Sequence, residues 1–94
     1  MSRGLVALES YLVLSSAMLE AAQAQEWDEL VRVGGERSVL FETLSPRLTG
    51  DLPSTEQAAA RSIIERCQAL DAQILALSEE RQKALRVLLR VAAP

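Results

Sequence analysis

The stretch of the sequence that most limits the fold runs from Ser54 to Ala93, because it contains neither proline nor glycine. Apolar residues recur along it at steps of three and four, which is the spacing of one face of an α-helix. That face carries Ile63, Cys67, Leu70, Ile74, Leu77, Leu85 and Leu88. The pattern predicts a single helix over about residues 55–91, roughly 50 Å long at a rise of 1.5 Å per residue.

Two shorter helical segments precede the long one, at about residues 4–24 and 27–44. The first is apolar over more than half of its circumference, which a lone surface helix does not tolerate. Pro46, Gly50 and Pro53 interrupt the chain before the third segment. Because both connections are short, successive helices should run antiparallel. We therefore predict an all-α fold in which residues 1–94 form one antiparallel three-helix bundle with a long third helix.

The difference in length between the helices has a consequence for the surface. The first two helices reach only about 30 Å, so the last turns of the third should overhang the end formed by the first helix–helix turn. Those turns carry five large apolar residues, namely Leu85, Val87, Leu88, Leu89 and Val91. Apolar residues without a partner inside the chain predict a partner outside it.

The composition argues against several functional classes. The chain of 94 residues has no histidine, one cysteine and a net charge of −3, so we expect no metal site, no cofactor and no nucleic-acid partner. No catalytic constellation is present, which predicts that the protein is not an enzyme. The longest uncharged run, Ser10 to Leu19, is far shorter than the ~20 residues of a membrane-spanning helix. Glu9 and Glu20 also interrupt a signal-peptide pattern.

Three single side chains allow more than one interpretation. Cys67 lies on the apolar seam of the third helix and is expected to be a core residue, and the alternative is a reactive thiol. Arg81 lies on the same seam, so it should either pair with the acidic turn at Glu26, Asp28 and Glu29 or anchor a partner's carboxylate. Trp27 is expected to cap the core, and the alternative is a contact residue on a partner-facing surface.

Two adjacent glycines, Gly34 and Gly35, lie inside the second helix, where each costs about 0.8–1 kcal/mol relative to alanine. On a helical wheel Gly34 shares a face with Trp27 and Phe41, so close approach of a neighbouring helix backbone would explain it. Gly35 points to the polar side. The pair is therefore interpreted as a place where the helix bends or yields when a partner docks.

Two stretches carry a family resemblance. The segment "LSSAMLEAAQAQEWDELVRVGGERSVLFETL" resembles the FliT family of flagellar export chaperones, in which a Leu- and Ala-rich helix is followed by a tight turn and Glu-Trp-Asp. Glu26, Trp27, Asp28 and Leu30 match that pattern, and the first three are expected to form a structural turn. The segment "ALDAQILALSEERQKALRVLL" is similar to the third helix of the family, with Leu77, Arg81 and Leu85 matching.

The resemblance implies a small all-α chaperone of the bacterial cytosol that acts in type III export. Such chaperones bind the C-terminal segment of the filament-cap protein FliD, deliver it to the export gate protein FlhA and contact the export ATPase complex. In some bacteria they also antagonise the flagellar transcriptional activator. Their binding surface is an apolar groove involving the second and third helices. Face geometry here suggests Val33, Leu40, Ile74, Leu77, Arg81, Leu85 and Leu88 for that groove.

The sequence departs from the family pattern in ways that leave alternatives open. Family members commonly have a fourth helix over the groove, and because this sequence stops at Pro94 that helix is expected to be absent, shortened or cut away here. In each of these cases the groove should be exposed, with dimerisation or constitutive binding as consequences. Gln25 occupies a turn position where glycine often stands, which predicts strain. One alternative function is a dimerising helical assembly module. Another is a regulator whose main partner is the transcriptional activator.

Overall fold

The computed structural model describes residues 2–44 and 52–92, and these residues form three helices and no strand. Helix α1 is Arg3–Gln23, α2 is Trp27–Thr43 and α3 is Ser54–Ala92. Each helix begins and ends within one residue of its predicted position. The all-α fold with a long third helix is therefore confirmed. The predicted helix-breaking residues Pro46 and Gly50 lie outside the described residues.

Helix α1 is the centre of the bundle, since it packs against both α2 and α3. It runs antiparallel to α2 and parallel to α3. Two clusters of buried residues follow its length. The first consists of Leu5, Leu8, Leu52, Ala60, Ile63 and Cys67, and the second of Met18, Val33 and Ile74. Cys67 is thus a core residue, as expected, and burial raises the pKa of its thiol.

The position of α1 explains its composition. By length and composition alone α1 could cross a membrane, and it is near the N-terminus. In this bundle, however, seven of its residues are buried against its two neighbours. A helix that is packed on two sides buries most of its circumference, so its composition is nearly as apolar as that of a membrane-spanning helix.

The N-termini of α1 and α3 are held together by Ser2 and Glu56. The Ser2 hydroxyl accepts a hydrogen bond from the Leu5 amide and caps α1 (3.2 Å). The Ser2 amide donates to the two carboxylate oxygens of Glu56 at 3.0 and 3.3 Å. Hydrogen bonding by the Ser2 side chain, and to a smaller extent by its amide, lowers the pKa of the Glu56 carboxyl. The contact fixes the two parallel helices in register at one end of the bundle.

The turn between α1 and α2 is closed by a Schellman motif. The Glu26 amide donates to the Ala21 carbonyl (2.8 Å) and the Gln25 amide donates to the Ala22 carbonyl (3.1 Å). This geometry needs a left-handed residue after the helix, and Gln25 takes that conformation with φ of 59°. Glutamine has a Cβ, so the conformation carries the strain that the sequence predicted.

The buried face of α2 differs from the face that the sequence suggested. Val33 is buried, whereas Val31 and Phe41 are 73% and 63% exposed. The face expected to hold Trp27, Gly34 and Phe41 is therefore only partly buried. Contacts with α1 select the neighbouring stripe through Leu30, Val33 and Arg37, although it carries a charge.

Neither glycine of α2 is required by packing. A Cβ at Gly34 would lie 3.4 Å from Cε of Met18, which is ordinary van der Waals contact with a flexible side chain. The expectation of close backbone approach at Gly34 is therefore wrong. A Cβ at Gly35 would meet nothing within 4 Å.

The third helix makes the molecule a rod with extents of 61 × 21 × 21 Å. Every residue from Glu79 to Val91 is exposed, because α1 has ended at Gln23. We call residues 82–92 the overhang. Its five large apolar residues, Leu85, Val87, Leu88, Leu89 and Val91, are 42–79% exposed.

Replacing Gln25 with glycine should raise the free energy of unfolding by about 1 kcal/mol, because glycine adopts a positive φ without a Cβ clash. Urea denaturation followed by circular dichroism measures the change. Gln23→Gly is the matched control, and it should lower stability by roughly 0.5–1 kcal/mol because Gln23 is still helical. An equal loss in both variants would contradict the turn geometry.

Gly34→Ala and Gly35→Ala should each raise the free energy of unfolding by roughly 0.5–1 kcal/mol, since both positions are helical and accept a Cβ. The same denaturation experiment measures both. If Gly35→Ala lowered stability, residue 35 would not have the open helical conformation described here.

Candidate partner-binding groove

An open groove separates α2 from α3. No Cα atom of α2 lies within 8 Å of a Cα atom of α3, so the two helices meet only through side chains. Helix α1 forms the floor between them. Antiparallel neighbours packed directly against each other have axes 8–10 Å apart, which would bring their backbones closer than this. The arrangement leaves a channel, here called the α2–α3 groove.

Arg37 is the main polar connection across the α2–α3 groove. Its Nη1 donates to Oδ1 of Asp71 on α3 at 2.5 Å and to Oγ of Ser15 on α1 at 3.2 Å. The Ser15 hydroxyl in turn donates to the Tyr11 carbonyl (2.9 Å). The guanidinium carbon of Arg37 lies 5.1 Å from the centre of the Tyr11 ring. We call this set of contacts the Arg37 bridge.

The Arg37 bridge is partly buried, which makes it stronger than an ion pair on the surface. Ser15 is fully buried, and its side chain is satisfied by these contacts. The Arg37 side chain is 20% exposed and that of Asp71 is 44% exposed, so their ion pair is only partly screened by water. By contrast, Arg32 pairs with Glu29 and Glu36 on the exposed side of α2. The bridge therefore fixes how α2 lies against α3.

An apolar cavity of about 470 Å³ occupies the groove beside the Arg37 bridge. Its lining comes from all three helices and the residues that flank α2: Leu8, Tyr11, Phe41, Leu44, Ile64, Cys67, Gln68 and Asp71. Phe41 stands at the edge, 63% exposed, with its ring centre 6.2 Å from that of Tyr11. A volume of this size accepts two or three large apolar side chains, as a docking helix would present.

A second contact between α2 and α3 lies at the far end of the groove. The guanidinium carbon of Arg81 is 4.9 Å from the centre of the Trp27 ring. A depression of about 280 Å³ beside this pair is also lined by Leu77 and Ala84. The sequence placed Arg81 on a buried seam, but Arg81 is exposed, because α1 ends at Gln23 and the Trp27 ring covers it only in part. Trp27 is half-buried rather than a core residue.

The seven residues suggested for the groove do not lie on one surface. Val33 and Ile74 are buried together in the core, so they support the groove and are not available as contacts. Leu40 lines a different depression, between α1 and the opposite side of α2. The remaining members, Leu77, Arg81, Leu85 and Leu88, follow α3 from the Trp27 corner into the overhang. A role for any of them in binding stays a prediction.

Sequence reasoning did not identify four residues that shape the groove, namely Tyr11, Arg37, Phe41 and Asp71. Arg37 and Asp71 carry opposite charges on helices predicted to be antiparallel, which was an available signal. A wheel of either helix alone gives no reason to pair them. Arg37 bonds both to Asp71 and to the buried Ser15 of α1, so the pair becomes visible only when all three helices are placed.

The three residues expected to form a structural turn lie where α2 begins. Glu26 is the N-cap of α2, Trp27 is its first residue, and Asp28 and Glu29 lie in its first turn. The two acidic residues face the positive end of the helix dipole, which stabilises the start of α2.

Breaking the Arg37 bridge should destabilise the bundle. Asp71→Asn and Arg37→Met should each lower the free energy of unfolding by about 1–2 kcal/mol, since each leaves a partly buried partner unpaired. In the double variant the losses should fall short of additivity by about 1 kcal/mol. Chemical denaturation of the four proteins measures this coupling.

The exposed pair of Arg32 and Glu36 provides the control, and its coupling should be clearly weaker because water and salt screen it. Equal coupling in the two cycles would mean that the Arg37 bridge contributes no more than a surface ion pair.

Comparison with known proteins agrees with this architecture. The family model for the flagellar protein FliT matches residues 5–93, which covers α1 from Leu5 onward and the whole of α2 and α3. No curated protein and no solved structure matches the chain. FliT proteins are chaperones of flagellar biogenesis, and the all-α fold and the open groove fit that description. The chain belongs to the FliT family.

Proposed function

We propose that this protein is a flagellar export chaperone that captures the C-terminal segment of the filament-cap protein FliD in the α2–α3 groove. The observation that supports it best is the apolar cavity beside the Arg37 bridge, which is open and lined from all three helices. Capture there shields apolar client residues from premature assembly. Delivery to the export gate protein FlhA and contact with the export ATPase complex, in the bacterial cytosol, belong to the same proposal.

The chemistry of the cavity defines the client. An amphipathic helix presents apolar side chains at steps of three and four, which fit between α2 and α3 over the α1 floor. Tyr11 and Phe41 supply flat aromatic area at the edge, where such residues contribute strongly to binding. Gln68 and Asp71 offer polar contacts to the client backbone or to a basic side chain.

Two alternatives use parts of the same molecule. A regulator that binds the flagellar transcriptional activator would need the same kind of apolar groove. A dimerising assembly module draws its support from the overhang, which is separate from the groove. The groove is three-sided and the overhang is a single helix face, so they suit different partners. We favour the chaperone because the groove is the more enclosed of the two surfaces.

Phe41 is the residue that best tests the proposal, because it is already 63% exposed and its loss should not affect folding. Phe41→Asp should weaken binding of a fluorescent peptide from the FliD C-terminus by at least about 10-fold. Fluorescence anisotropy measures the affinity. Val39→Asp is the control, since Val39 lies on the same helix and is 64% exposed but does not line the cavity.

Each outcome has a definite meaning. Wild-type protein that does not bind the FliD peptide overturns the client. If the wild type binds the peptide and Phe41→Asp and Val39→Asp weaken that binding equally, the α2–α3 groove is not the binding site. A pull-down with the transcriptional activator in place of FliD then decides whether the regulator alternative replaces the chaperone.

A further inference from the structure

Asp71 gives the apolar cavity its charge. Among the described residues that line the cavity it is the single charged one, and Arg37 is not part of the lining. The Asp71 side chain is 44% exposed, whereas that of Arg37 is 20% exposed. A molecule that enters the cavity therefore reaches the carboxylate before the guanidinium. Because a carboxylate binds a cation through charge-assisted hydrogen bonds, the cavity wall favours a basic side chain over an acidic one.

The Asp71 carboxylate already binds a cation in the free protein. Nη1 of Arg37 donates to its Oδ1 at 2.5 Å. A basic client side chain at the same carboxylate would therefore stand close to the Arg37 guanidinium. Two cations so placed repel each other, and they do so more strongly at a partly buried site than in water. Binding of a basic side chain is favoured if Arg37 leaves the carboxylate.

Arg37 has other groups to contact when it leaves Asp71. Its guanidinium donates to the Ser15 hydroxyl at 3.2 Å and lies 5.1 Å from the centre of the Tyr11 ring. Arg37 also lines a second depression, of about 280 Å³, together with Tyr11 and Glu42. The exposed Glu42 carboxylate there lies on α2 itself, so Arg37 can exchange one acidic partner for another by turning its side chain.

We propose that client binding exchanges the partner of Asp71. A lysine or arginine of the client helix takes the carboxylate, and the Arg37 guanidinium turns into the depression that it shares with Glu42. The inference rests on the proposed function, because it concerns the same groove. It specifies the client further, as an amphipathic helix with one basic residue between its apolar contacts. Arg37 then acts as a resident competitor that a client without a basic residue does not displace.

Three designed fluorescent peptides test the preference for a basic residue. Each is an amphipathic helix of about 15–20 residues, because shorter isolated helices are marginal in water. They differ at one central position, which is lysine, methionine or glutamate. By fluorescence anisotropy the wild type should bind the lysine peptide about 5-fold more tightly than the methionine peptide, and the glutamate peptide most weakly.

Asp71→Asn should abolish the preference for lysine and leave the affinity for the methionine peptide within about 2-fold. Glu79→Gln is the matched control, since Glu79 is an exposed acid on the same helix outside the cavity lining. It should keep the preference. Equal losses in the two variants would mean that the preference comes from the overall charge of α3, which would overturn the role of Asp71.

Arg37→Met tests the competition. Without the resident cation, the lysine peptide should bind about 5-fold more tightly than it does to the wild type, and the methionine peptide should be unaffected. Weaker binding of the lysine peptide would show that Arg37 supports the client and would overturn the exchange. Circular dichroism confirms that each variant is folded.

NMR of the wild type detects the exchange directly. The Arg37 guanidinium signals are assigned by their absence from Arg37→Met, and the ion pair with Asp71 should slow the rotation of this group. The lysine peptide should release that rotation, and the methionine peptide should not. Bound lysine peptide with unchanged Arg37 signals would overturn the exchange.

The outcomes separate this inference from the proposed function. If the lysine and methionine peptides bind equally and Phe41→Asp weakens both, the groove captures helices without selecting a basic residue, and only the inference is overturned. The same holds if the FliD peptide binds and none of the three designed peptides does, or if the glutamate peptide binds most tightly. If neither the FliD peptide nor the designed peptides bind, both are overturned.

Discussion

Every other feature of this bundle depends on the burial of α1. Its apolar surface extends too far around the helix for one neighbour to cover, so α2 and α3 pack on two sides of it. Each flanking helix satisfies its own apolar stripe on α1 and has no need of the other. The space between them is therefore left open, and the α2–α3 groove is a result of how the core is built.

Apolar packing alone would leave the rotation of α2 poorly defined, because hydrophobic burial has no direction. The Arg37 bridge supplies direction, since a guanidinium must meet the Asp71 carboxylate and the Ser15 hydroxyl at defined distances. It also explains why a charged residue lies on the inner side of α2 while Val31 faces water. A polar network with its members satisfied can select one packing among several of similar apolar content.

The positions of the three helices and the existence of the overhang could be predicted from the sequence. The unbroken run after Ser54 and the length difference between segments follow from helix geometry alone, whatever the packing. The side facing each neighbour was harder to predict. On α2 the face expected to hold Trp27, Gly34 and Phe41 is only partly buried, and contacts with α1 bury Val33 instead. Residues on separate helices, such as Arg37 and Asp71, come together only after the packing is known.

The same reason explains why two of the residues suggested for the groove are buried. Helical wheels drawn separately for α2 and α3 place Val33 and Ile74 on an apolar face, and both residues are indeed buried. They do not show that both face α1 and so become core. Arg81 shows the opposite error. It lies on the apolar face of α3 but is exposed, because α1 ends at Gln23 and does not reach it.

The contact between Trp27 and Arg81 has a practical consequence. Trp27 is the only tryptophan of the chain, and its indole lies under a guanidinium at the point where the bundle ends and the overhang begins. Indole emission responds to a nearby charge and to water. The protein therefore carries its own optical reporter at the junction between its two candidate contact surfaces, and events at either one can be followed without a label.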